Sequence, residues 1–171
     1  MIKDNLSFLV IIVLGLLVAL AGFLMVEFFD RPDAYSMINY GIWGAELAGF
    51  FMLLANGTFI KSKYFRYAKG IFALVILGAL FRILHWDYSA YLIMAGFLGI
   101  MICYVLHFIK KPVKKLLDYY KLAFVLIHYP MAVLRYLHVI GDDYLIMSSA
   151  IMWLAIIDYL KTKKRRGRLL D

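Results

Sequence analysis

The sequence predicts an all-α integral membrane protein of about six transmembrane helices, built as three helical hairpins, the second and third related by an internal parallel repeat. Three observations carry this. Of 171 residues, 65% are hydrophobic and 18% charged, against roughly half and about a quarter in soluble domains. The apolar residues come in runs of about 17–23, the length that crosses a hydrocarbon core. Finally, FRILHWDYSAYLIM at Phe81–Met94 recurs as LRYLHVIGDDYLIM at Leu134–Met147. Arg82 then falls on Arg135, His85 on His138, and Tyr91 to Met94 on Tyr144 to Met147. Each copy sits between two apolar runs, so the repeated unit is a helix ending in Arg-x-x-His, a turn and a returning helix.

The net charge of +8 is explained by its distribution and does not point to nucleic acid. Sixteen of the nineteen Lys and Arg residues lie at the termini and in alternate connections. Arg31, Arg82 and Arg135 alone fall in the other connections, with Glu27, Asp30, Asp33, Asp87, Asp142 and Asp143. By the positive-inside rule both termini are expected on the cytoplasmic side, with three short acidic turns opposite. The single cysteine, Cys103, lies in an apolar run; it excludes a disulfide framework and reads as a small core residue.

Taken in order, a single transmembrane domain is expected over residues 1–160, with hairpins at about 6–60, 70–109 and 120–160, and a basic cytoplasmic tail over 161–171. The first helix covers Leu6 to Val26; its rival reading is a signal peptide cleaved near Ala19-Leu20-Ala21, although the run outlasts a usual signal core. Asp30-Arg31-Pro32-Asp33 makes the first turn. The second helix runs from about Met37 to Ile60, with Gly41, Ala45 and Gly49 four apart on one face, a stripe suited to close helix packing in lipid. Further helices are expected at Gly70 to His85, Ser89 to Ile109, Tyr120 to His138 and Asp143 to Leu160. Pro130 removes one backbone bond from the fifth, where a kink is expected. Asn56-Gly57-Thr58 fits a glycosylation pattern but lies at the cytoplasmic end of its helix.

Five polar residues stand out as ion, proton or partner candidates. Glu46 lies near mid-membrane, where a carboxylate is costly and marks a functional site by default; its other reading is a neutral acid hydrogen-bonded for packing. Arg82 with His85, and Arg135 with His138, are three apart and share a helix face at the outer surface. They read either as interfacial anchors at a helix C-terminus or as an ion- or partner-binding site. His85 and His138 at equal depth would be the ligands of a b-type haem, but both sit beside turns with little apolar wall, so no cofactor is expected. His107, His128 and Asp158 read as packed or paired residues. No metal cluster, phosphate loop, zinc-protease helix or nucleophile elbow is present in the sequence, and no enzymatic activity is expected.

LGALFRILHWDYSAYLIMAGFLGIM, from Leu77 to Met101, resembles the transmembrane hairpin of GldL (PorL), the motor subunit of gliding motility and type IX secretion in Bacteroidota. In that family a helix ending Lys-x-x-His-Trp-Pro-Gly turns into a second apolar helix. Arg82, His85 and Trp86 match, and Asp87-Tyr88 replaces Pro-Gly. The family also carries a glutamate in its returning helix, inferred to act in proton-driven rotation. No acid occupies that helix here, but Gly41-Ile-Trp-Gly-Ala-Glu46-Leu is similar to the context of that glutamate. The resemblance implies a multi-pass protein of the bacterial inner membrane: a non-enzymatic subunit of a larger envelope assembly, possessing proton or ion coupling if Glu46 serves it. Its expected partners are the lipid bilayer and other membrane proteins, or further copies of itself. The alternative is a small-solute or ion transporter with Glu46, Arg82 and Arg135 lining a path.

Overall fold

The computed structural model describes residues 5–141 and 144–165. Six α-helices follow in order: α1 (Asn5–Phe29), α2 (Tyr35–Ala55), α3 (Lys63–Ile83), α4 (Ser89–Lys110), α5 (Leu116–Tyr136) and α6 (Tyr144–Arg165). Short 3₁₀ turns at Pro32–Ala34 and Phe59–Lys61 complete the described elements, among which there is no strand. All but α5 are long and apolar enough to cross a membrane. α5 is long enough, but Asp118, Lys121, His128, Arg135 and its tyrosines dilute its apolar residues. The chain is an all-helical, multi-pass membrane protein.

Several helix limits differ from those expected. α2 stops at Ala55, before Asn56-Gly57, and α3 begins at Lys63, so that Lys63, Arg66 and Lys69 lie in a helix and not in a connection. α6 likewise continues through Lys161–Arg165. Lys and Arg are good helix formers whose long stems cover apolar surface while the charge reaches water. Helices therefore run on past the hydrocarbon edge. Residues 166–171, Asp142 and Asp143 lie outside the described residues. The helix runs unbroken through Pro130.

Two compact units are formed, one of residues up to Asn56 with those from Ile156 onward, the other of Gly57–Ala155. In the first, α1 and α2 pack as an antiparallel pair whose backbones meet. A Cβ at Gly41 would stand 2.5 Å from the Gly15 carbonyl oxygen and 2.6 Å from Ala19 N, and one at Gly15 would stand 2.7 Å from the Gly41 oxygen. Ala45 is fully buried beside them. The expected stripe on α2 thus meets a stripe on α1, Gly15, Ala19 and Gly22, that spacing on α2 alone did not disclose. Gly49 faces the Ile156 side chain. At the other end of this unit Asn5, 2% exposed, accepts hydrogen bonds through Oδ1 from Asn56 Nδ2 (2.8 Å) and Tyr159 Oη (3.2 Å). One amide oxygen ties the starts and ends of three helices.

In the second unit α4 packs against α3 and, less extensively, α5. Glycines again allow the α3–α4 contact: a Cβ at Gly78 would lie 3.0 Å from Ser89 O and Ile93 N, and Gly96 and Gly99 receive Val75 and Ile71. Between α4 and α5 the contact is aromatic, with Phe97 on Tyr129 (5.9 Å between centroids) and Phe108 on Tyr119 (5.3 Å). Cys103 is buried in this unit.

Because Gly41 abuts backbone whereas Gly44 faces open space, the two glycines should respond oppositely to substitution. Gly41→Val is expected to cost about 1–3 kcal/mol by forcing α1 from α2, while Gly44→Ala gains up to ~1 kcal/mol of helix propensity. Thermal unfolding of the purified variants in detergent checks both signs.

Candidate functional site

The repeated Arg-x-x-His is, first, a way of ending a helix. At the end of α3, His85 N–H donates to Arg82 O (3.2 Å) and Trp86 N–H to Phe81 O (2.8 Å). At the end of α5, His138 N–H donates to Arg135 O and Val139 N–H to Leu134 O, both at 2.9 Å. This is the Schellman arrangement, which satisfies carbonyls a helix end leaves unpaired and needs a left-handed residue at its corner. His85 and His138 supply that residue, with φ of 55° and 59°. The apolar contact that accompanies the motif is present as Trp86 set edge-on against Phe81, 4.9 Å between centroids.

Glycine is the usual occupant of such a corner, because a Cβ there costs about 1–2 kcal/mol. Histidine tolerates the region better than most residues, yet its use in both copies leaves two imidazoles exposed on the turns. The first hairpin shares the left-handed conformation without the motif: Asp30 has φ 49° and Arg31 N–H reaches back to Met25 O.

The fold also brings the two turns together. Arg82 lies over the ring of Tyr136, 4.6 Å from its centroid, so the end of α3 touches the end of α5 beside Arg135 and His138. Stacking occupies the flat face of the guanidinium and leaves its in-plane donors for a carboxylate or phosphate. Arg82, His85, Arg135 and His138 are all exposed, with Trp86, Tyr88, Tyr91 and Val139 exposed around them. The result is a basic patch with an aromatic surround. Tyr136 was not apparent from the repeat, since its counterpart in the first copy is Ile83. Asp142 and Asp143 lie outside the described residues.

Glu46 belongs to the other unit. It is half-buried in the middle of α2, about 100° around the helix from Ala45, and therefore at the border of the packed face formed by Gly41, Ala45 and Gly49. Among the described residues no three His, Cys, Asp or Glu side chains gather as a metal site.

The hairpin closed by Arg82, His85 and Trp86 decides the comparison with known proteins. Residues 70–124 match the family model of the GldL N-terminal domain. The match takes in most of α3, the whole Schellman turn, α4 and the start of α5, about a third of the chain. The α3–α4 hairpin thus resembles the transmembrane part of GldL, whereas α2 with Glu46 and the second copy of the repeat fall outside the GldL match. No curated protein and no solved structure matches the chain.

Since the corner positions are held by backbone geometry, His85→Gly and His138→Gly are expected to preserve or slightly raise the melting temperature. His85→Val should lower stability by about 1 kcal/mol, because a β-branched side chain is more strained in the left-handed region than histidine. Differential scanning fluorimetry separates these outcomes, and any loss of partner binding in a stable glycine variant then reports on the imidazole itself.

Proposed function

We propose that the protein is a non-enzymatic subunit of an inner-membrane assembly of the gliding and type IX secretion kind. The observation that carries this reading is the coincidence of the GldL match at 70–124 with a structurally complete hairpin, closed by the turn through which the chain resembles that family. Both termini lie on the cytoplasmic side, in keeping with the basic residues at the chain ends and in alternate connections. α1 stays in the mature protein, supported by its backbone contact with α2 through Gly15 and Gly41 and by the Asn5 hydrogen bonds. The exposed patch of Arg82, His85, Arg135 and His138 docks a neighbouring subunit through its carboxylates. Glu46 couples the assembly to protons or ions.

A transporter reading draws on the same half-buried Glu46 in the middle of an apolar helix. One experiment distinguishes the two. Gentle extraction of the tagged protein at native abundance, followed by identification of accompanying proteins, is expected to return a defined set of envelope proteins. Recovery of the chain alone, or only with itself, would sink the subunit reading. Within that set, Glu46→Gln is expected to leave both assembly and melting behaviour unchanged while abolishing the activity of the assembly. A stability loss above about 1 kcal/mol would instead make Glu46 a packing acid whose hydrogen bond the variant weakens.

A further inference from the structure

A second polar feature lies in the Gly57–Ala155 unit, at the ends of α3 and α4 remote from the Arg-x-x-His turns. The start of α3, the end of α4 and the connection into α5 enclose an open cleft of about 500 Å³ lined by Thr58, Tyr64, His107, Lys110, Lys111 and Lys115. From Phe59 to Lys121 the chain carries nine Lys and Arg residues on this side and one carboxylate, Asp118. That carboxylate is committed: it binds Lys111 Nζ at 2.6 Å and accepts the Lys115 backbone N–H at 2.8 Å, capping α5. Lys110 and Lys115 therefore give the cleft a surplus of positive charge.

His107, which also lines the cleft, is held by its neighbours. His107 is held edge-on by Phe59 and tilted against Tyr104, 5.3 and 6.2 Å between centroids. Its Nε2 lies 3.3 Å from Thr58 Oγ1; with the proton on Nε2, the threonine hydroxyl keeps its own proton to donate. Lys110 and Lys115 line the same open cleft as the Thr58 hydroxyl, with Lys110 Nζ 6.0 Å from the Tyr64 ring centroid; cations and a neutral donor around one cleft suit an anion, and at a membrane surface the commonest anion is a phosphate.

We propose that this cleft binds a phosphate-bearing group, with Lys110 and Lys115 as its charged ligands and Thr58 as the neutral donor. The group is the headgroup of an anionic phospholipid or a free phosphate. The assignment stands apart from the GldL-like reading, because neither the outer turns nor Glu46 takes part in it.

The test is a thermal-shift titration of the full-length protein in neutral detergent with short-chain phosphatidylglycerol, and separately with inorganic phosphate. Saturable stabilisation by the lipid at concentrations where phosphate has no effect identifies a headgroup site; equal stabilisation by phosphate identifies a free-anion site. In Lys110→Gln/Lys115→Gln the half-saturating concentration is expected to rise about tenfold or more. The double variant Lys110→Arg/Lys115→Arg should retain binding, and Lys61→Gln/Lys69→Gln, with the same change of charge away from the cleft, should titrate like the parent. No saturable stabilisation by either probe, or an equal loss in the Lys61/Lys69 control, would overturn the proposal. The melting temperature of each variant without ligand shows that it is folded.

Discussion

Contact between helix backbones at glycine is the interaction on which this protein depends. In hydrocarbon no hydrophobic effect drives two helices together, so association rests on how closely they approach. The Gly15–Gly41 crossing brings α1 and α2 to the distance at which a single added methyl group would strike a carbonyl oxygen. Gly78 performs the same office between α3 and α4. Both hairpins are fixed by what their interfaces lack, which allows the remaining helix surface to be large, apolar and turned to lipid.

Around these crossings the polar groups fall into separate places, each satisfied by a different means. The turns after α3 and α5 consume carbonyls through a left-handed histidine. The Asn5 amide gathers Asn56 and Tyr159, and Asp118 unites a lysine with the first amide of α5. Glu46 sits in mid-helix, at the margin of a packed face. The hairpin that matches the GldL N-terminal domain model and the mid-helix carboxylate Glu46 lie on different helices.

Much of this was legible in the residues. Apolar run length yielded six helices, and the repeat located two turns that prove to share one hydrogen-bonding pattern. The stripe Gly41, Ala45, Gly49 was visible as a spacing; in the structure Gly41 meets Gly15 and Ala19, and Gly49 meets Ile156. Its partner on α1 was hidden because Gly15 and Gly22 lie in a run so uniformly apolar that no face is distinguished from another. The start of α3 at Lys63 and the end of α6 at Arg165 lie beyond the apolar runs, since lysine stems continue a helix past its apolar part. The stacking of Arg82 on Tyr136 could not be foreseen, because it joins positions that the repeat does not equate. The anion cleft was equally invisible: its lysines had been explained by membrane orientation, and only folding shows Asp118 engaged with Lys111.

The Asn5 hydrogen bonds also bear on how the chain is made. Asn5 precedes Tyr159 in the chain by 154 residues. Asn56 can reach the Asn5 oxygen as soon as α2 has formed, whereas the hydrogen bond from Tyr159 has to wait until α6 has been made. Closure of the hairpins can proceed one at a time as each is inserted. The start of α1 is thus tied down in two stages, first by its own hairpin and then by a helix made more than a hundred residues later.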